Sequence, residues 1–104
     1  MIIKIGRSND NDYVISNMTV SRRHAELEIT DGHIVIKDNG SGSGTYVLVQ
    51  GKLERTTYKQ VSEHDIIVVG NERLIVGEII ANMSKRNRDA VYKRNPLTGE
   101  VVKK

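Results

Sequence analysis

The stretch HIVIKDNGSGSGTYVLV, residues 33–49, places two apolar runs on either side of a loop built almost wholly from glycine and serine. Such a loop has three possible uses: a slack linker, a turn between strands, or a bend whose bare N–H groups hold an anion. A linker joins domains, whereas the runs at 33–37 and 45–49 both read as strands of one small core. A Walker-type phosphate loop ends in Gly-Lys-Ser/Thr and opens a helix; this one has no lysine and enters a β-branched strand. The Gly40-x-Gly42-x-Gly44 spacing also misses the dinucleotide fingerprint. The segment therefore reads as a strand-connecting loop, and its glycines let the backbone aim consecutive N–H groups at one point.

Working outward, short β-branched segments recur at 2–5, 13–15, 25–29, 33–37, 45–49, 65–69 and 73–80. In AELEI, Ala25, Leu27 and Ile29 face one way and Glu26 and Glu28 the other, the period-2 mark of a half-buried strand. Turn formers separate these segments, and TDGH (30–33) carries the Asp-Gly pair of a tight hairpin. No window shows an apolar stripe at helical spacing. Strands so closely spaced, with no crossover helices, predict an all-β, antiparallel sandwich or barrel. The domain is expected to span 1–81. Residues 82–104 then form a basic tail, either a small hairpin around Asn95-Pro96 or a flexible, loosely structured extension.

The composition bounds what this fold can do. With 104 residues, no Trp, no Phe and four Tyr, one modest core must be built from Ile, Val and Leu. The absence of cysteine excludes a disulfide scaffold and thiolate metal sites. No apolar run reaches the roughly 20 residues of a membrane span, and MIIKIGRSND lacks the apolar middle of a signal peptide, so a cytoplasmic location is expected. Residues 1–81 hold 9 Lys+Arg against 11 Asp+Glu, and residues 82–104 hold 7 against 2. The net charge of +3 thus belongs to the tail. A solvated extension is the plainer reading of that tail than contact with nucleic acid or an anionic membrane.

An anion site needs charge as well as amides. GRSNDND puts Arg7 at the end of the first strand, and VSRRHAEL puts Ser21, Arg22, Arg23 and His24 before the third. If these loops share one end of a sandwich with the glycine loop, they surround one pocket in which guanidinium forks, hydroxyls and amides match phosphate oxygens.

The series IGRSNDNDYVI, TVSRRHAEL, DNGSGSGTYV and HDIIVVG, in this order and spacing over about residues 1–80, resembles a forkhead-associated (FHA) domain. The resemblance implies a sandwich of the FHA/SMAD-like type and a signalling module that binds phosphothreonine in partner proteins, with no catalysis, cofactor or metal. By the same resemblance Arg7 clamps the phosphate, Ser21 donates its hydroxyl, and Arg22 adds a second cation. Ser41, Gly42 and Ser43 line the rim, while Gly6, His24 and Gly44 support loop geometry. The family pattern in the glycine loop is S-x-N-G-T; here Ser43 stands in place of the asparagine that holds the ligand's main chain. The family also carries further strands before its Gly-Arg, where this chain has five residues.

Other readings of the same residues are weaker. Ser21 and His24 show no nucleophile elbow or oxyanion partner. Asp10-Asn11-Asp12 lacks the spacing and closing glutamate of a calcium loop. NMT (17–19) and NMS (82–84) match a glycosylation pattern by coincidence. The alternative to a phosphopeptide reader is a phosphate-independent or self-associating module, one version having Thr98 modified and bound by a neighbouring copy.

Overall fold

The computed structural model describes residues 1–86, 93–94 and 101–102. Thr98 and the Asn95-Pro96 turn lie outside the described residues. Nine strands precede a helix: β1 (Ile2–Gly6), β2 (Tyr13–Val14), β3 (Ala25–Thr30), β4 (His33–Asp38), β5 (Thr45–Val49), β6 (Lys52–Arg55), β7 (Tyr58–Val61), β8 (Ile66–Val69), β9 (Glu72–Ile75) and α1 (Val76–Arg86). Two short strands follow, β10 (Lys93–Arg94) and β11 (Val101–Val102), paired antiparallel.

The strands form two sheets, ordered β2-β1-β3-β4-β7 and β6-β5-β8-β9. Ile3, Ile5, Leu27 and Ile36 line the inner face of the first sheet; Val47, Ile67, Val69 and Leu74 line that of the second. All eight are at most 1% exposed. Burying each such aliphatic side chain contributes roughly 1.5–3 kcal/mol. An aliphatic sandwich therefore suffices without phenylalanine or tryptophan. The Asp31-Gly32 turn has φ of 51° and 79°, the pair of positive values a tight hairpin needs, and Gln50-Gly51 repeats it at 50° and 81°.

Three features depart from the sequence expectation. β1 and β2 pair parallel, Ile5 opposite Tyr13 and Gly6 opposite Val14, so the sheets are not wholly antiparallel. β2 thereby supplies the edge beside the short N-terminal strand. β6 and β7 were not legible because both are edge strands: β6 is exposed at all four residues, and β7 buries only Val61. Charged edges of this kind block pairing with other chains. The expected strand at 73–80 is in fact β9 followed by helix α1, which continues beyond residue 81. The helix buries Val76 and Ile79 and half-buries Ile80 and Met83, an apolar stripe at helical spacing. The strand ending in Ile75 runs directly into it, which masked the change of period. Its first amides are satisfied by the carbonyls of Asp65 (Val76 N–H, 3.0 Å) and Glu63 (Gly77 N–H, 2.8 Å).

The β-strand register fixes which loops meet. Ile5 is opposite Ala25, Ala25 opposite Asp38, Thr45 opposite Val69 and Tyr46 opposite Arg55. The loops at 7–12, 15–24, 39–44, 56–57 and 70–71 therefore gather at one end, and α1 begins at the other. The glycine loop is the connection that carries the chain from the first sheet to the second. Ile79 is 0% exposed; Ile79→Ala is expected to destabilise the domain by about 2–5 kcal/mol. Urea denaturation checks this, and wild-type stability in the variant would contradict the packing of α1 into the core.

Candidate functional site

Arg7 follows directly from β1, and its backbone N–H bonds to Ser21 O at 3.0 Å. Its side-chain Nε donates to Val20 O at 3.0 Å, which fixes the guanidinium plane. Among the described residues the Nη groups have no partner and Arg7 is in no ion pair. A half-buried cation is thus held in place with its terminal donors uncommitted. Arg22 is exposed and, among the described residues, also without an ion pair, whereas its neighbour Arg23 is engaged by Asp10 at 2.8 Å.

The first two loops meet through a close backbone approach. A β-carbon on Gly6 would lie 2.2 Å from Arg22 O and 2.8 Å from Asn11 Nδ2, so only glycine fits. Asn11, 3% exposed, donates from Nδ2 to Arg22 O at 2.6 Å and to Ser8 O at 2.8 Å. Ser8 N–H also donates to Arg22 O at 3.2 Å. Asn11 is thus a structural residue, a role that the Asp10-Asn11-Asp12 run alone does not reveal.

His24 is completely buried and joins the second loop to the glycine loop. Its Nδ1 accepts from Ser21 N–H at 3.0 Å, and its Nε2 lies 2.8 Å from Gly44 O. An amide can only donate and a carbonyl only accept, so these partners assign the neutral ring with its proton on Nε2. Gly42 N–H reaches across to Ser21 Oγ at 3.2 Å. The Ser21 hydroxyl is therefore oriented as an acceptor there, and its own proton has no acceptor among the described residues.

Asp38 folds the glycine loop from within. Its carboxylate accepts from Ser41 Oγ at 2.5 Å, Thr45 Oγ1 at 2.7 Å and the amides of Gly40 and Ser41, both at 3.1 Å. Ser41 Oγ in turn accepts from Gly44 N–H at 3.0 Å. The Ser41 hydroxyl is thus used up inside the loop, and the side chain is 9% exposed. Gly42 and Ser43 are left on the exposed crest. Ser43 Oγ donates to Thr19 O at 2.8 Å, tying the crest to the 17–20 segment. Burial pushes the Asp38 carboxyl up, but the Ser41 and Thr45 hydroxyls and the Ser41 amide outweigh it and hold the group below the ordinary aspartate range.

The structure thus brings Arg7, Ser21, Arg22, Gly42 and Ser43 to one end of the sandwich, with Gly6, His24, Ser41 and Gly44 beneath them. A cleft of about 80 Å³ lined by Lys4, Asn11, Arg23, Ala25, Glu26 and Asn39 opens behind this junction and includes none of the five. The site is an open surface rather than a cavity. Chemically it offers a glycine-rich crest and, among the described residues, two cations paired with no carboxylate and a hydroxyl proton without an acceptor. That is a surface suited to a doubly charged anion on an extended ligand. Asp38 and Thr45 bracket the glycine loop seven residues apart. An Asx residue preceding a glycine run is the sequence signal of this bracket.

Comparison with known proteins gives the family. The FHA domain model matches residues 3–70, and the chain belongs to the FHA domain family. It is 37% identical over 76 residues to the ABC transporter ATP-binding/permease protein Rv1747 of Mycobacterium tuberculosis, covering 73% of this chain and 8% of that protein. It is likewise 37% identical over 70 residues to the oxoglutarate dehydrogenase inhibitor of Corynebacterium efficiens, covering 67% of this chain and 46% of that protein. The chain thus matches less than half the length of these relatives. Among solved structures, the FHA-2 domain of Rv1747 superposes with a TM-score of 0.61 at 39% identity, covering 71% of this chain and 65% of that one. A structure from a structural and functional analysis of phosphothreonine-dependent FHA domain interactions superposes with a TM-score of 0.65 at 27% identity, covering 71% and 73%.

The Asp38 network carries a pH signature. Because folding lowers the pKa of this carboxyl, its contribution to stability is present above the unfolded aspartate value of about 3.9 and is lost as pH falls through the lower folded value. Asp38→Asn is therefore expected to be less stable than the wild type at neutral pH, with the gap narrowing below about pH 4. Urea denaturation of both proteins across this range checks the sign, and a gap independent of pH would contradict it.

Proposed function

We propose that this chain is a non-enzymatic module that binds a threonine-phosphorylated segment of a partner protein and so mediates phosphorylation-dependent association in signalling. The observation that carries this reading is the pairing of the Arg7 Nη groups with the hydroxyl proton of Ser21 on the same crown of loops, neither of them having a partner among the described residues. Arg7 and Ser21 bind phosphate oxygens, and Arg22 adds a second positive charge at the rim. The Gly42 crest faces the ligand's main chain. Ser41, His24, Gly6 and Gly44 hold these groups in position. The phosphothreonine-dependent interactions described for the structural relative support the assignment of the ligand class.

Ser43 sets the strength of the site. An asparagine at this position would carry its carboxamide beyond the loop, whereas the serine hydroxyl turns back to Thr19 O. The ligand's backbone therefore loses a hydrogen-bonding partner, and binding is correspondingly weak and reversible.

Two variants test this reading against a phosphothreonine peptide and its unphosphorylated control. Arg7→Ala removes two charge-assisted bonds of about 1.5–3 kcal/mol each, so binding is expected to weaken by roughly a hundredfold or more while the domain stays folded. Ser43→Asn is expected to tighten binding by about tenfold, one added hydrogen bond's worth. Calorimetry with circular dichroism reads both. Arg7→Ala binding at wild-type strength, or equal binding of both peptides, would refute phosphate recognition. Unchanged affinity in Ser43→Asn would refute the role given to residue 43.

A further inference from the structure

The two outer faces of the sandwich differ in chemistry. On the first sheet the outer positions include Lys4, Glu26, Glu28 and Lys37, with Lys37 paired to Glu28 at 3.3 Å, an ordinary solvated and charge-balanced surface. The second sheet is built otherwise. Its register places Arg55, Tyr46, Val68 and Arg73 in one row across all four strands. The next row toward α1 sets Leu53 opposite Leu48 and Ile66 opposite Ile75. Val47, Ile67 and Leu74 point into the core, so both rows point outward. Leu53 is 44% and Ile75 41% exposed. The rows hold two arginines, five aliphatic residues and a tyrosine, and no carboxylate.

This face is continuous with the loop crown. A β-carbon built on Gly44 would stand 2.9 Å from Arg55 Nε and 3.1 Å from Arg55 Cζ, so the Arg55 guanidinium lies directly over the glycine loop. Among the described residues neither Arg55 nor Arg73 is in an ion pair. Three interstrand steps separate them, about 14 Å at the usual strand spacing. In an extended segment, residues i and i+4 lie on one face about 13 Å apart. Two copies of this chain meeting by these faces would set arginine against arginine with no acid between, so charge complementarity selects a different occupant.

We propose that the outer face of the second sheet is a second docking surface, which takes an acidic-apolar segment of the phosphorylated partner, of pattern Glu-x-Leu-x-Glu, lying beside the phosphothreonine site. The inference rests on the phosphopeptide reading above. Arg55 and Arg73 take the two carboxylates, and the aliphatic row takes the apolar side chain. Specificity then comes from joining a weak phosphate contact to a second contact on the same chain.

The test uses the full chain and synthetic phosphothreonine peptides extended at either end with Glu-x-Leu-x-Glu or with Lys-x-Leu-x-Lys. The acidic extension is expected to bind at least about tenfold more tightly than the basic one. Arg73→Glu and Leu53→Ser, both exposed positions remote from the phosphate contacts, are each expected to abolish that gain and leave the unextended phosphopeptide's affinity unchanged. Equal affinity for the two extensions, or a gain that survives both substitutions, overturns the proposal. If the unextended phosphopeptide fails to bind, the phosphate reading fails by itself. The docking face is then judged by whether the unphosphorylated acidic extension shifts the amide resonances of Leu53, Arg73 and Ile75, and no shift there overturns it. A concentration-dependent mass abolished by Leu53→Ser, or nuclear Overhauser contacts from the chain's own C-terminal residues to Leu53 and Ile75, would assign the face to another occupant and likewise overturn it.

Discussion

A single imidazole holds the loop crown together. His24 is sealed from solvent, and its ring spans the gap between the segment carrying Ser21 and the glycine loop, accepting from one backbone and donating to the other. The Gly44 bond is buried and the Ser21 bond partly so, and breaking the buried one would leave a backbone carbonyl unsatisfied, at a cost of about 1–3 kcal/mol. The ring therefore does more than fill space. It links the two segments that Gly42 N–H and Ser21 Oγ also join, while Arg7 is anchored separately by Val20 O. The backbone of His24 completes the junction, its N–H bonding Ile5 O and its carbonyl accepting from Asn39 N–H, both at 2.9 Å.

Rigidity beneath the crown is matched by openness above it. Asp38, Ser41 and Thr45 satisfy one another and the loop amides, which leaves the crest with exposed glycine and few side chains of its own. A site of this construction loses little entropy when a ligand binds, because its donors are already fixed. The cations are arranged by the same logic. Arg23 is neutralised by Asp10, while Arg7 and Arg22 are left available. Adjacent arginines with identical chemistry thus have different uses, decided by which carboxylate lies within reach.

Much of this was legible in the sequence because the decisive signals were local. Ala25, Leu27 and Ile29 alternate as a two-sided strand must, and Asp31-Gly32 is a pair that a tight hairpin favours. The small-residue loop between two apolar runs had to be a bend. Motif order, through the resemblance to FHA domains, led to the expectation that Arg7, Ser21 and Gly42 share one end. What stayed hidden was non-local. β6 and β7 have no buried face to give them a period, so their pairing partners alone define them. The α1 stripe begins one residue after a strand of the same composition, and the parallel pairing of β1 with β2 depends on where the 7–12 loop folds back. The inward turn of Ser41 was hidden for a related reason. Serine is equally at home donating to a ligand or to a neighbouring aspartate, and only the fold decides between them.

Amide chemical-shift mapping reports whether the loop crown binds the phosphate of a phosphorylated threonine, as proposed. On titration with a phosphothreonine peptide, the resonances of Arg7, Ser21, Arg22 and Gly42 should move together and saturate at one affinity. The unphosphorylated peptide should leave them in place. Shifts centred instead at the opposite end, around Glu63 and Gly77, or the same shifts from both peptides, would mean that the crown is not a phosphothreonine site.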